Sequence, residues 1–224
     1  MVQFLVGPEW FYGVDTIFEV FSIIVCFLIA IFAYKTYNLT NQRKYFYFML
    51  SFLLIAASLT FKIIANFVVF YKTVEKSFYG LFIVTYTHSF DFINTVALFL
   101  FRFLFLIAFI IILANILNIK DKKIISLLLF FSFLAVIFST FAYFEFHLTL
   151  ALIVGFISHY YFKNYSIKKR KSAFLVMMSF MAIFLSQIMF ILFILDKGFY
   201  ALAETLQLIG FLFLLLAYLV ILKK

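Results

Sequence analysis

Proline and cysteine are almost missing from this chain of 224 residues: Pro8 and Cys26 are the single example of each. Pro8 precedes the first apolar run, so no proline kink interrupts any later helix. One cysteine excludes an intramolecular disulfide, and Cys26 reads as a small packing residue. Glycine is scarce, with six in all, and charged residues make up only 12% against 68% hydrophobic. Soluble domains are closer to a quarter charged and about half apolar. A soluble chain of this length could not cover so much apolar surface. What fills the place of the missing types is aromatic: 38 Phe and 14 Tyr.

Other absences exclude chemistry. No His-Glu-x-x-His occurs, and His88, His147 and His159 do not share one level, so a membrane zinc hydrolase has no ligand set. Ser158 adjoins His159, but consecutive residues diverge on a helix, which excludes them as a nucleophile and base. The last apolar run has no lysine before Lys223, which leaves no Schiff-base lysine for a retinal pigment. Haem would need paired histidines. His88 and His147 offer one pair near one surface and there is no second, so they read as an interfacial residue and a helix-opening residue. Met177, Met178, Met181 and Met189 read as packing rather than a soft-metal path. No catalytic set emerges, no metal site is expected, and the cofactor is left unknown.

What the chain does have is seven long apolar runs: Val14–Tyr34, Tyr45–Tyr71, His88–Leu117, Ile124–Tyr143, His147–Phe162, Ser172–Leu195 and Phe199–Leu222. A spanning helix needs about 20 mainly apolar residues. These runs far exceed the ~10-residue alternating strands of a membrane barrel. The expectation is an all-α, polytopic membrane protein: one bundle of seven transmembrane helices covering residues 1–224. The start of the chain lacks a basic region before an apolar core, so no cleavable signal is expected and the first helix directs insertion. The turn Phe144–Phe146 between the fourth and fifth runs is short enough to make those helices antiparallel neighbours.

Charge supplies the orientation. Lys35, Arg43 and Lys44 follow the first run. Lys120, Lys122 and Lys123 follow the third. Lys163, Lys168, Lys169, Arg170 and Lys171 follow the fifth, and Lys223 and Lys224 the last. The opposite side has only Lys72, Lys76 and Lys197. By the positive-inside rule the N-terminus is outside and the C-terminus cytoplasmic. Trp10, Phe11 and Tyr12 suit an outer aromatic belt. The net charge of +9 therefore points to anionic lipid headgroups rather than nucleic acid.

The charges inside the runs sit at one depth, in the outer part of the membrane: Glu19, Lys62, Arg102 and Glu204, with Asn66 near the boundary and Gln187 and Gln207 slightly deeper. Each costs about 2.5–3.5 kcal/mol near the middle of a span, so all are expected to face inward. Spacing agrees. Asp15, Glu19, Ser22 and Cys26 share one helix face, as do Ser58, Lys62 and Asn66, and Asp91, Thr95 and Arg102. The candidate set is Glu19, Lys62, Asn66, Asp91, Arg102, Gln187, Glu204 and Gln207. It reads either as an outward-facing pocket for a small polar or charged solute, or as ion pairs that hold helices in register. Glu204 is the expected first partner of Arg102, with Glu19 second.

Ile17-Phe-Glu-Val-Phe-Ser-Ile-Ile-Val, Ala33-Tyr-Lys-Thr-Tyr, Lys44-Tyr-Phe-Tyr-Phe and Ser51-Phe-Leu-Leu resemble small, uncharacterised multi-pass membrane proteins of archaea. The resemblance covers roughly the first two helices. It implies a membrane fold and carries no activity, so it gives Glu19 no role. The functions left open are solute transport or sensing, a non-enzymatic partner subunit, and a haem-bearing electron carrier. The loops hold no output domain, so a receptor would need a cytoplasmic protein partner.

Overall fold

In lipid every backbone N–H and C=O must find its partner within the protein, and an unbroken apolar run satisfies this as an α-helix. The computed structural model describes residues 7–11, 13–78, 87–119, 121–139 and 143–222. After a 3-10 turn at Glu9–Phe11 come α1 (Val14–Thr40), α2 (Arg43–Phe78), α3 (Thr87–Ile116), α4 (Lys122–Ser139), α5 (Tyr143–Lys168), α6 (Lys171–Leu192) and α7 (Gly198–Leu222). No strand occurs among the described residues. The protein is an all-α, multi-pass membrane protein.

Five stretches among the described residues are long and apolar enough to cross a membrane: Val14–Thr40, Arg43–Val68, Phe92–Ile116, Lys171–Leu192 and Gly198–Ile221. Lys123–Phe138 is apolar but shorter. α5 is long, but Glu145, His147, His159 and Lys163 dilute its apolar character.

Two boundaries differ from the sequence reading. Tyr143, expected to end the fourth helix, opens the fifth, and Phe144–Phe146 is helical rather than a turn. The aromatic stretch there contains neither glycine nor proline to mark the break. α2 also continues to Phe78, through Lys72 and Lys76, which were read as loop. Helical hydrogen bonding does not stop where hydropathy falls.

With glycine so scarce, other residues take the left-handed conformation that ends a helix. Asn41 (φ 52), Asn118 (φ 53) and Lys169 (φ 48) do so between successive helices. Asn41 N–H donates to the Tyr37 carbonyl at 2.7 Å, and Lys169 N–H to that of Tyr165 at 2.8 Å.

The packing order makes a ring. α1 lies against α2 and α7, α2 against α3, α3 against α5, α5 against α6, and α6 against α7. α4 sits outside this ring, against α3 and α5. Its antiparallel neighbour α5 was anticipated. The interior is aromatic: Phe52, Phe105, Phe109, Phe146, Phe180 and Phe211 are fully buried, and Tyr161 stacks on Phe180 with centroids 4.9 Å apart. Large apolar side chains such as Phe21, Phe138 and Phe156 are exposed on the outside, where lipid rather than water is their solvent.

Chain direction fixes one end of the ring as polar. Asn115, near the C-terminal end of α3, donates to the Lys44 carbonyl at the start of α2, so these two helices run antiparallel. α1, α5 and α7 bring their N-terminal turns to the other end, and α6 brings its C-terminal turn. α4 therefore returns the chain to that end. Its 18 residues span about 27 Å at 1.5 Å per residue.

Candidate functional site

The polar end holds an ion group built by three helices. Lys62 Nζ lies 3.0 Å from Glu19 Oε1 and donates a hydrogen bond to Glu204 Oε1. α1 carries Glu19, α2 carries Lys62 and α7 carries Glu204, and α1 packs between the other two. That order lets one flexible lysine reach both acids. All three are nearly sealed: Glu19 is 1% exposed, Lys62 8% and Glu204 3%.

Asn66, one turn beyond Lys62, extends the group. Its Nδ2 donates to Glu19 Oε1 at 3.1 Å and Oε2 at 3.3 Å, and reaches Asp15 Oδ2 at 3.4 Å. Asp15 also ties down the first turn of α1: its Oδ1 accepts from the backbone N–H of Gly13 at 2.9 Å and of Thr16 at 2.7 Å. The α1 stripe of Asp15, Glu19, Ser22 and Cys26 is buried along its whole length, as its spacing requires.

Aromatic rings enclose the ammonium. Lys62 Nζ is 5.6 Å from the Phe101 centroid, 5.6 Å from Phe190 and 5.7 Å from Tyr200. A cation over a ring face gains about 0.5–2 kcal/mol, with the larger values where water is excluded. These rings come from α3, α6 and α7, so the group gathers contributions from five helices.

A second polar group lies beside Phe190. His147 Nδ1 and Gln187 Oε1 are 2.8 Å apart. Gln187 Nε2 donates to Ser186 Oγ at 3.1 Å and to Gln207 Oε1 at 3.4 Å. His147 stacks on Phe190 with centroids 4.6 Å apart, and the Tyr143 ring also packs on it, at 4.2 Å. Phe190 thus touches both the imidazole and the Lys62 ammonium.

The sequence candidates are therefore divided. Glu19, Lys62, Asn66 and Glu204 form the ion group, and Gln187 and Gln207 form the second. Arg102 is buried with its guanidinium carbon 5.9 Å from the Phe146 centroid, and Lys62 holds Glu204 in its place. The expected Arg102–Glu204 pair is corrected by the ring order: α7 packs on α6 and α1, and α3 packs on α2, α4 and α5. Asp91 lies in α3, and its side chain falls outside the described residues, as does that of His88. His147 is corrected too. It is one turn inside α5 and 3% exposed, a core hydrogen-bonding residue rather than a helix-opening one. The sequence reading missed Tyr200, Phe101 and Phe190, and nothing marks them among so many aromatics.

Among the described residues no three His, Cys, Asp or Glu side chains come together as a metal site. The chain matches no protein family, no curated protein and no solved structure, so a reading of function rests on the cluster itself.

Proposed function

We propose that this chain is a seven-span protein of the cell membrane, with its N-terminus outside and C-terminus cytoplasmic. Its work is to bind a small polar or charged solute at the Lys62 group, for transport or sensing. One observation carries the reading: Lys62 is held by two carboxylates, Glu19 and Glu204. A structural pair needs one. With all three ionised the group has a formal charge of −1, and burying an unbalanced charge is costly. The group therefore favours a proton or a second cation as a partner. The spread of basic residues supports the orientation, and the return path of α4 supports the odd number of spans. The basic turns on the cytoplasmic side suit anionic lipid headgroups. A sensing role would add a cytoplasmic protein partner.

A second reading has its own support. The ion group is closed and internally paired, as a non-enzymatic partner subunit would have it if the charges served only to register α1, α2 and α7. Thermal unfolding of the purified chain against a panel of cationic, anionic and neutral solutes separates the two. Binding at a concentration 100 times Kd adds about 2.7 kcal/mol to stability. The solute reading expects one class to raise the midpoint, and expects Glu19→Gln with Glu204→Gln to abolish the rise. A flat response across the panel favours the structural reading. A visible absorption spectrum of the same sample tests the haem alternative.

A further inference from the structure

We infer that the Lys62 group is an ammonium site filled by the protein's own side chain, and that its ligand is a small primary alkylammonium ion that displaces Lys62. This rests on the solute-binding reading above and names the solute class.

The site already holds an ammonium. Lys62 Nζ is paired with Glu19 Oε1 at 3.0 Å and hydrogen-bonded to Glu204 Oε1, and three ring centroids lie 5.6–5.7 Å away. Carboxylate acceptors satisfy N–H donors, and ring faces stabilise the remaining positive surface. Each alternative occupant lacks one of these matches. A metal cation wants oxygen ligands on most sides, where this site has rings. A quaternary ammonium has no N–H for either carboxylate. An anion would face two carboxylates.

The tether is what makes exchange possible. Lysine is a compact charge on a flexible four-carbon stem, and such stems redirect their heads along a helix surface. An outward resting place is present. Asp15 lies one turn before Glu19 on the same face of α1, and Asn66 links the two, at 3.4 Å from Asp15 Oδ2 and 3.1 Å from Glu19 Oε1. Lys62 moving one step outward exchanges Glu19 and Glu204 for Asp15. A primary ammonium entering behind it leaves the charge of the inner group unchanged. Asp15 is thus a positioning residue for the displaced lysine.

The test uses the full-length chain in detergent, with ethylammonium chloride, tetramethylammonium chloride and sodium chloride at equal ionic strength. In Lys62→Ala the two carboxylates and three rings stand open. Ethylammonium should raise its unfolding midpoint saturably, and the other two salts should not. In the wild type radiolabelled ethylammonium should bind saturably but on the order of 10- to 100-fold more weakly, because it must first displace Lys62. Asp15→Asn keeps an Oδ1 acceptor for the Gly13 and Thr16 N–H groups and should weaken binding further in the wild type. In the Lys62→Ala background it should have no effect.

Equal responses of Lys62→Ala to all three salts overturn the inference. So does the absence of saturable ethylammonium binding to the wild type, a measurement that stands even if Lys62→Ala does not fold. If the solute panel stabilises the wild type with another class while ethylammonium fails to bind, the ammonium assignment falls and the solute-binding reading survives. If nothing binds, both fall.

Discussion

Lys62 on α2 and Glu204 on α7 are 142 residues apart in the chain and directly hydrogen-bonded in the bundle. Glu19 holds the other side of the same ammonium at 3.0 Å. Removing the base therefore strands two acids, whereas removing one acid leaves the base a counter-ion. Lys62→Met should cost about 3–5 kcal/mol, the range for breaking a buried charge pair from one side. Glu204→Gln should cost less, about 1–3 kcal/mol. The double variant should recover part of the Lys62→Met loss. Denaturation in mixed micelles measures all four proteins of the cycle, and strictly additive losses would rule out the pairing.

The second polar group makes a separate demand. Gln187 is fully buried, meets His147 through its oxygen and Gln207 through its nitrogen. Gln187→Leu leaves both partners short of a hydrogen bond in a dry site, which should cost about 1–3 kcal/mol. Among the described residues no direct hydrogen bond joins this group to Lys62, Glu19 or Glu204, so the loss should be nearly additive with that of Glu204→Gln. A coupling well above about 0.5 kcal/mol between the two would show that the groups form one network.

Gly210 sits at a close approach of α6 and α7. A Cβ there would lie 2.6 Å from Ile183 Cγ1 and 3.0 Å from the Ser179 carbonyl oxygen. The second neighbour is backbone and cannot yield by rotating. Gly210→Ala should destabilise the protein by about 1–3 kcal/mol through overpacking. At Gly155 the nearest atom, 3.1 Å away, belongs to the Phe184 ring, which can shift. Gly155→Ala should therefore lower the melting midpoint less than Gly210→Ala, and the reverse ranking would contradict this account of the α6–α7 contact.

Orientation is tested with impermeant thiol reagents in intact cells, in a Cys26→Ala background. Asp196 and Lys168 are both exposed and lie at opposite ends of α6. A cysteine replacing Asp196 should label and one replacing Lys168 should not. The opposite pattern would invert the proposed topology and move the ion group to the cytoplasmic side.

Much of this arrangement is legible in the residue pattern alone. The spacing of Asp15, Glu19, Ser22 and Cys26 gave a buried face on α1, because a helix repeats every 3.6 residues whatever surrounds it. Depth brought Glu19, Lys62 and Glu204 to one level, because spans share a common length. The choice between Lys62 and Arg102 as partner of Glu204 was not legible. It depends on which helix stands beside which in the ring, and apolar surfaces carry little record of their neighbours. The Tyr143 boundary was hidden by a run of aromatics without glycine or proline. His147 looked like a helix start for the same reason. Phe101, Phe190 and Tyr200 could not be singled out because Phe and Tyr fill the whole interior.

The position of α7 in the ring has a consequence in time. Synthesis runs from the N-terminus, so Glu19 and Lys62 leave the ribosome long before Glu204. The first two helices enter the bilayer as a hairpin whose acid and base neutralise each other. The aromatic cage gains Phe101 next, then Phe190, and finally Tyr200 with Glu204. The second carboxylate arrives only when the last helix has closed against α1. A chain that stalls before α7 would thus lack the extra negative charge on which binding is proposed to depend, and would hold its lysine in a simple pair.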